Sequence, residues 1–166
     1  FVILLAHLKS RLDPERIDPN GFERRQAEMR TLLEIYKELE TVHPNLPLLI
    51  AGDFNGNAGL QQTDEEFRDI YLNTQLRDIL EVAQIPTEDR ATFYQVRNGG
   101  RTEGRQIDFA FTSPALMPLI KKETAHVYRY KDEFGMAHAI PRNMDAKLLL
   151  PSDHYPLVFE VADLPF

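Results

Sequence analysis

Leu46-Pro47-Leu48-Leu49-Ile50-Ala51-Gly52-Asp53-Phe54-Asn55 is the stretch whose reading decides the fold. Residues 46–51 are too few for a helix and apolar on both faces, the pattern of a strand covered from two sides. Gly52 closes the run, and an acid and an amide follow at once. Few proteins set such groups at the end of a buried strand without using them.

Upstream, residues 1–7 repeat the pattern: Phe1-Val2-Ile3-Leu4-Leu5-Ala6 is apolar on both faces and ends at His7. The run has no methionine and no polar lead-in, whereas chain ends are normally exposed and frayed. We expect it to be a cut through the body of a larger domain. Between these strands lie Pro14, the Asp18-Pro19 break and a helix starting at Asn20. Asn20 is the expected cap and Glu23, three residues on, completes a capping box. Met29, Leu32, Leu33, Tyr36 and Leu39 form one apolar stripe, and the helix stops before His43-Pro44.

Downstream, Thr63 followed by three acids predicts a helix start, since threonine caps and acids complement the helix dipole. A short helix is expected over 75–83. Residues 91–96 and 107–112 read as the strands of a hairpin with a long basic tip at 97–105, carrying Arg97, Arg101 and Arg105. Strands follow at 124–130 and 155–161, separated by an extended surface loop at 131–147. Mixed helices and strands with late hairpins give a layered α/β (α+β) sandwich in a single domain spanning residues 1–166.

Composition narrows the partners. A net charge of −7 is unfavourable for non-specific binding to long duplex nucleic acid, where positive charge supplies most of the affinity. The absence of cysteine excludes disulfides and thiolate metal sites. No apolar run is long enough to span a bilayer, and no compartment follows from the sequence.

Four segments carry groups able to do chemistry. Asp53 and Asn55 lie two apart and, on an extended chain, point the same way. A carboxylate can activate water, and an amide can donate to a phosphate oxygen without repelling it; a plain Gly-Asp-Phe-Asn turn explains the same residues. Ser152-Asp153-His154 offers a carboxylate suited to a hard cation and an imidazole that titrates near neutrality, or else a capped surface loop. Asp108 interrupts the apolar alternation of Ile107, Phe109 and Phe111 and could hold a histidine in one tautomer, or sit on a solvated strand face. His7 ends the first strand, a position more often structural than catalytic. Lys9, Arg24 and Arg25 could reach phosphates, although a solvated helix face accounts for the arginines. His43, His126 and His138 have no acid-bearing motif nearby.

In order, Ala6-His7-Leu8-Lys9-Ser10, Gly52-Asp53-Phe54-Asn55, Gln106-Ile107-Asp108-Phe109 and Ser152-Asp153-His154-Tyr155-Pro156-Leu157 resemble the later motifs of the endonuclease/exonuclease/phosphatase superfamily. The resemblance runs from His7 to Leu157 and covers only the C-terminal portion of that family's domain. It implies part of a four-layer αββα sandwich of the deoxyribonuclease type, with the N-terminal portion missing. It also implies hydrolysis of a phosphodiester or phosphomonoester with Mg2+ or Mn2+. His7 and Asn55 would contact the phosphate and Asp53 would position or activate the water. Asp108 would pair with the catalytic His154, and Asp153 would help hold the metal. The asparagine and glutamate of the family's first half have no counterpart here.

Two expectations follow. One is a metal-dependent phosphoesterase acting on nucleic acid, inositol phosphate or a lipid head group. The other is a catalytically inactive fragment or subunit that self-associates as a homo-oligomer or is completed by another chain.

Overall fold

Alternation along two central strands sets the layering in the computed structural model, which describes residues 1–97 and 99–162. On β2 (Leu48–Asp53) and β6 (Asp108–Thr112), Leu48, Ile50, Phe109 and Phe111 face one core. Met29, Leu32, Leu33 and Tyr36 of α1 (Phe22–Val42) and Ile70 of α2 (Arg68–Asn73) complete that core. The intervening Leu49 and Ala110 face a second core with Tyr94, Ile120, Ala125, Val127 and Tyr155. Two-residue periodicity therefore gives one sheet two buried faces, helices on one side and further strands on the other.

The central sheet has the order β1-β2-β6-β3, with β1 (Val2–His7) parallel to β2, and β6 antiparallel to both β2 and β3 (Arg77–Asp78). The second layer holds two antiparallel pairs, β4 (Phe93–Val96) with β5 (Thr102–Arg105) and β7 (Ile120–Val127) with β8 (Leu157–Val161). The architecture is a mixed α/β sandwich. β1 lies at the sheet edge, and its two faces are unequal: Ile3 and Leu5 are 48% and 79% exposed. It is not covered on both sides as its composition suggested.

Gly52 lets β1 and β2 approach. Its φ is +142°, and a Cβ there would lie 1.8 Å from the Ala6 carbonyl oxygen, closer than any side chain can fit.

Several boundaries differ from the sequence expectation, each for a physical reason. Asn20 is not the cap of α1; it has φ +60°, and the Asp18 carboxylate accepts from the Glu23 and Arg24 amides instead. The loop folds back so that a residue four positions before the helix does the capping. Thr63 does not cap either, because its hydroxyl donates to the Gly59 carbonyl. Residues 75–83 split into β3 and α3 (Ile79–Val82), with Asp78 capping α3 through the Leu80 amide. The partner of β4 is β5, not the strand at 107–112. Half of the expected basic tip is thus itself a strand, held where Arg97 and Arg105 both pair with Glu103. Asn98 of that tip lies outside the described residues. The loop at 131–147 runs into a short helix, α4 (Met144–Leu148).

Arg25 is not on a solvated face. It is 1% exposed, and its guanidinium donates to Glu66 (Nε to Oε1 2.9 Å) and to the carbonyls of Lys9 and Asn20. The α1 helix is thereby fastened to the 3-10 turn Glu65–Phe67.

Candidate active site

Strand register assembles the site. His7 is paired with Asp53 across β1 and β2, and Asp53 with Asp108 across β2 and β6. The three residues form one rung at the strand ends. Cross-strand neighbours on such a rung lie about 5 Å apart, so chain segments distant in sequence meet at one edge.

His154 arrives from the other layer. Its Nδ1 lies 3.1 and 2.9 Å from the two Asp108 carboxylate oxygens, which requires the Nδ1 proton. One ligand atom each from Asp53, Asp108 and His154 lie within 4.8 Å of one another. The imidazole of His7 stands 3.6 Å from Asp53 Oδ2 on the exposed side. Asn55, at φ +52°, curls back: its amide N–H donates to Asp53 Oδ1 at 2.8 Å, and Nδ2 donates to Asp53 Oδ2 and to the Leu8 carbonyl, each at 3.0 Å. The side chains of Asp53 and Asn55 meet, though through a left-handed turn rather than an extended chain. The Nδ2 donors are already engaged in orienting Asp53.

Charge follows geometry. The hydrogen bond to Asp108 raises the His154 pKa above the ordinary histidine value, against the opposing effect of burial, with Asp108, Asp53 and Asp153 adding favourable charge. The Asp53 pKa is also raised, first by burial and further by the negative charge of Asp108. The Asn55 amide, His154 and His7 partly offset this. A half-buried carboxylate pressed by a second carboxylate lacks positive charge, which is where a hard divalent cation fits.

Asp153 does not join that three-residue group. Its exposed carboxylate lies 3.4 Å from Lys147 Nζ, and the same ammonium donates to the Tyr94 carbonyl and stands 3.9 Å from the Phe93 ring centroid. Phe93 in turn lies 5.4 Å, ring to ring, from His154. Lys147, Phe93 and Thr92 were not singled out by sequence. Thr92 is fully buried and clamps both halves of the site. Its hydroxyl accepts from the Ile107 and Asp108 amides, each at 3.1 Å, and its carbonyl accepts from Tyr155 N at 2.7 Å. Behind it Asp78, its pKa pushed up to about 7 by burial, accepts from Gln106 Nε2 at 2.9 Å. A threonine before an aromatic strand and a two-residue strand ending in aspartate were the only local signals of these supports.

Lys9 and Arg24 turn to the fold: Lys9 Nζ donates to the Leu12 carbonyl and Arg24 pairs with Glu28. The imidazole of His126 bonds the nearby Thr124 carbonyl.

The arrangement of layers is the deoxyribonuclease-type fold that the resemblance implies. Solved structures share it. The 3'-5' exonuclease NExo of Neisseria meningitidis superposes with a TM-score of 0.63 at 20% identity, over 96% of this chain and 60% of that one. Truncated TDP2 of Caenorhabditis elegans gives 0.56 at 16% identity, covering 93% and 52%. The mannosyl-6-phosphatase Bt3783 of Bacteroides thetaiotaomicron gives 0.54 at 23% identity, covering 97% and 51%. This chain thus spans about half to three-fifths of the length of these structures. Neither a family model nor a curated protein sequence matches it. Among the described residues no helix is long and apolar enough to cross a membrane.

Proposed function

We propose that this chain carries the acid–histidine half of a metal-dependent phosphoesterase site, hydrolysing a phosphodiester or phosphomonoester by attack of water. The observation that supports this most is the Asp108–His154 pair set within 4.8 Å of Asp53. Asp53, oriented by Asn55 and poised by burial towards accepting a proton, takes the proton of the attacking water. His154, its pKa raised by Asp108, presents Nε2 to the phosphoryl oxygens and offsets the charge that builds on them. His7 contacts the same phosphate from the exposed side of the rung. Asn55 reaches it by exchanging one of its two Nδ2 bonds.

Asp53, in the group it forms with Asp108 and His154, would hold a hard cation, Mg2+ or Mn2+, and Asp153 would join it only by leaving Lys147. Such an ion would supply Lewis-acid stabilisation of the phosphoryl and leaving oxygens. The substrate classes are nucleic acid, inositol phosphate and lipid head groups, and the exonuclease and phosphatases among the structural neighbours support an ester of phosphate.

The test is hydrolysis of p-nitrophenyl phosphate and bis-p-nitrophenyl phosphate by the full-length protein, with Mg2+ or Mn2+ and after chelation. Activity that needs the cation and drops at least about 100-fold in Asp53→Ala, the usual weight of a general base, is expected. Hydrolysis indifferent to that substitution overturns the assignment.

The exposed edge of β1 favours a second reading, a chain that associates through that strand. Sedimentation showing a monomer at tens of micromolar, roughly where interfaces of ordinary size hold, would remove it.

A further inference from the structure

A cavity of about 610 Å3 opens beside the site, between the segment 57–64 and the β4–β5 hairpin. None of the candidate site residues lines it, and its wall meets their neighbours at two places. Gln106 and Ile107 line it directly ahead of Asp108, and Arg11 lines it while donating through Nε to the Asn55 carbonyl at 3.1 Å. A volume of this size suits one small-molecule moiety.

Its charge selects against a polyanion. The three arginines of the wall each have a carboxylate: Arg11 pairs with Asp64, Arg90 with Glu81 at 3.7 Å, and Arg105 with Glu103 at 2.9 Å. Glu88 is a fourth acid on the same wall. With every cation matched and an acid left over, nothing is spare for a second phosphate or for a nucleotide strand, whose binding rests on unpaired cations. What the wall does offer is neutral and polar. Among the described residues the side-chain amides of Gln61 and Gln62 and the hydroxyl of Thr87 are not committed to bonds within the fold, and half-exposed Leu60 and Ile140 supply apolar surface. Amides, a hydroxyl and a carboxylate exchange hydrogen bonds with vicinal hydroxyl groups, and aliphatic side chains cover the C–H faces between them.

We infer that this cavity receives the neutral, hydroxyl-bearing ring of a polyol monophosphate, a hexose or cyclitol phosphate whose single phosphate lies at the Asp53–His154 centre. The inference rests on the phosphoesterase reading and narrows its substrate to esters with no further charge. The β4–β5 hairpin then acts as a specificity wall.

The experiment follows amide resonances of the full-length protein during titration with four probes: inorganic phosphate, a hexose 6-phosphate, myo-inositol 1-phosphate and a single-stranded deoxyribonucleotide tetramer. Hydrolysis of p-nitrophenyl phosphate by the full-length protein is measured alongside. One of the two polyol phosphates, identifying hexose or cyclitol, should shift residues 57–62, 87–91 and 103–107 beyond the set moved by inorganic phosphate. It should bind about tenfold tighter, the equivalent of one or two net hydrogen bonds. The double variant Gln61→Ala/Gln62→Ala should remove most of that tenfold preference. Equal affinity for polyol phosphate and inorganic phosphate, with aryl phosphate still cleaved, overturns this inference alone. So does tetramer binding that moves the cavity residues and weakens steeply with salt. Silence towards all four probes, with no ester cleaved, overturns the phosphoesterase reading as well.

Discussion

Replacing Asp108 by asparagine tests the electrostatic design of the site without disturbing its shape. The amide oxygen can still accept the Nδ1 proton of His154, so what is lost is charge rather than contact. In the parent protein the His154 pKa is raised in the folded state, chiefly by this carboxylate, with Asp53 and Asp153 contributing. A base whose pKa is raised on folding adds stability that is complete below its unfolded pKa, near 6.5, and is lost as pH climbs through the folded value. Asp108→Asn should therefore cost most on the acid side of neutrality and least in alkali. A charge-assisted hydrogen bond contributes about 1.5–3 kcal/mol. With the two side chains 32% and 23% exposed, solvent screening reduces this to about 1–2 kcal/mol near pH 6. In alkali, once the imidazole has lost its charge, the carboxylate holds only a neutral N–H donor, so the loss should shrink towards about 0.5 kcal/mol. Urea unfolding followed by circular dichroism under the two conditions reads this directly. Equal penalties, or a larger one in alkali, would show that the pair does not hold a proton on His154. Turnover of the full-length variant should fall by roughly 100- to 1,000-fold, the range for losing one donor to the charge that develops on phosphate.

Three further substitutions probe the frame. Arg25→Met leaves Glu66 buried and unpaired and should cost about 3–5 kcal/mol in chemical denaturation, whereas Arg25→Met/Glu66→Leu should recover most of it; a double variant as unstable as the single one would contradict this. Gly52→Ala forces a Cβ against the Ala6 carbonyl and should lower stability by at least about 3 kcal/mol, or abolish folding, as judged by thermal melting. Thr92→Val strands two amides beneath Asp108 and should cost about 2 kcal/mol along with most of the turnover, while Thr92→Ser restores both; a serine variant no better than valine would assign the effect to packing.

Much of the site was legible because its chemistry stands in short motifs at strand ends. Asp53 follows one apolar strand, Asp108 interrupts another and His154 precedes a third, and the structure brings the three side chains together. The supports were not legible because their partners are far along the chain. Arg25 and Glu66 are separated by 41 residues, and nothing local distinguishes Arg25 from its solvated neighbour Arg24. Lys147 looked like the end of a loop until α4 carried it to Asp153. In the fold, β5 was hidden by its composition. Thr102-Glu103-Gly104-Arg105 has no apolar alternation, and only its ladder with β4 and its ion pairs make it a strand. The α1 cap was misassigned because Asn20 has the right chemistry at the right place, yet a loop reversal hands the task to Asp18.

The rung formed by His7, Asp53 and Asp108 has an evolutionary corollary. Because each residue is aligned by the pairing of its strand, shifting β1 or β2 by one position carries one of these side chains to the opposite face of the sheet. Insertions and deletions inside these strands are thus as damaging as losing an acid outright. Divergence among proteins built this way should accumulate in the connecting segments, with strand lengths between reactive ends held fixed while their buried aliphatic residues exchange freely.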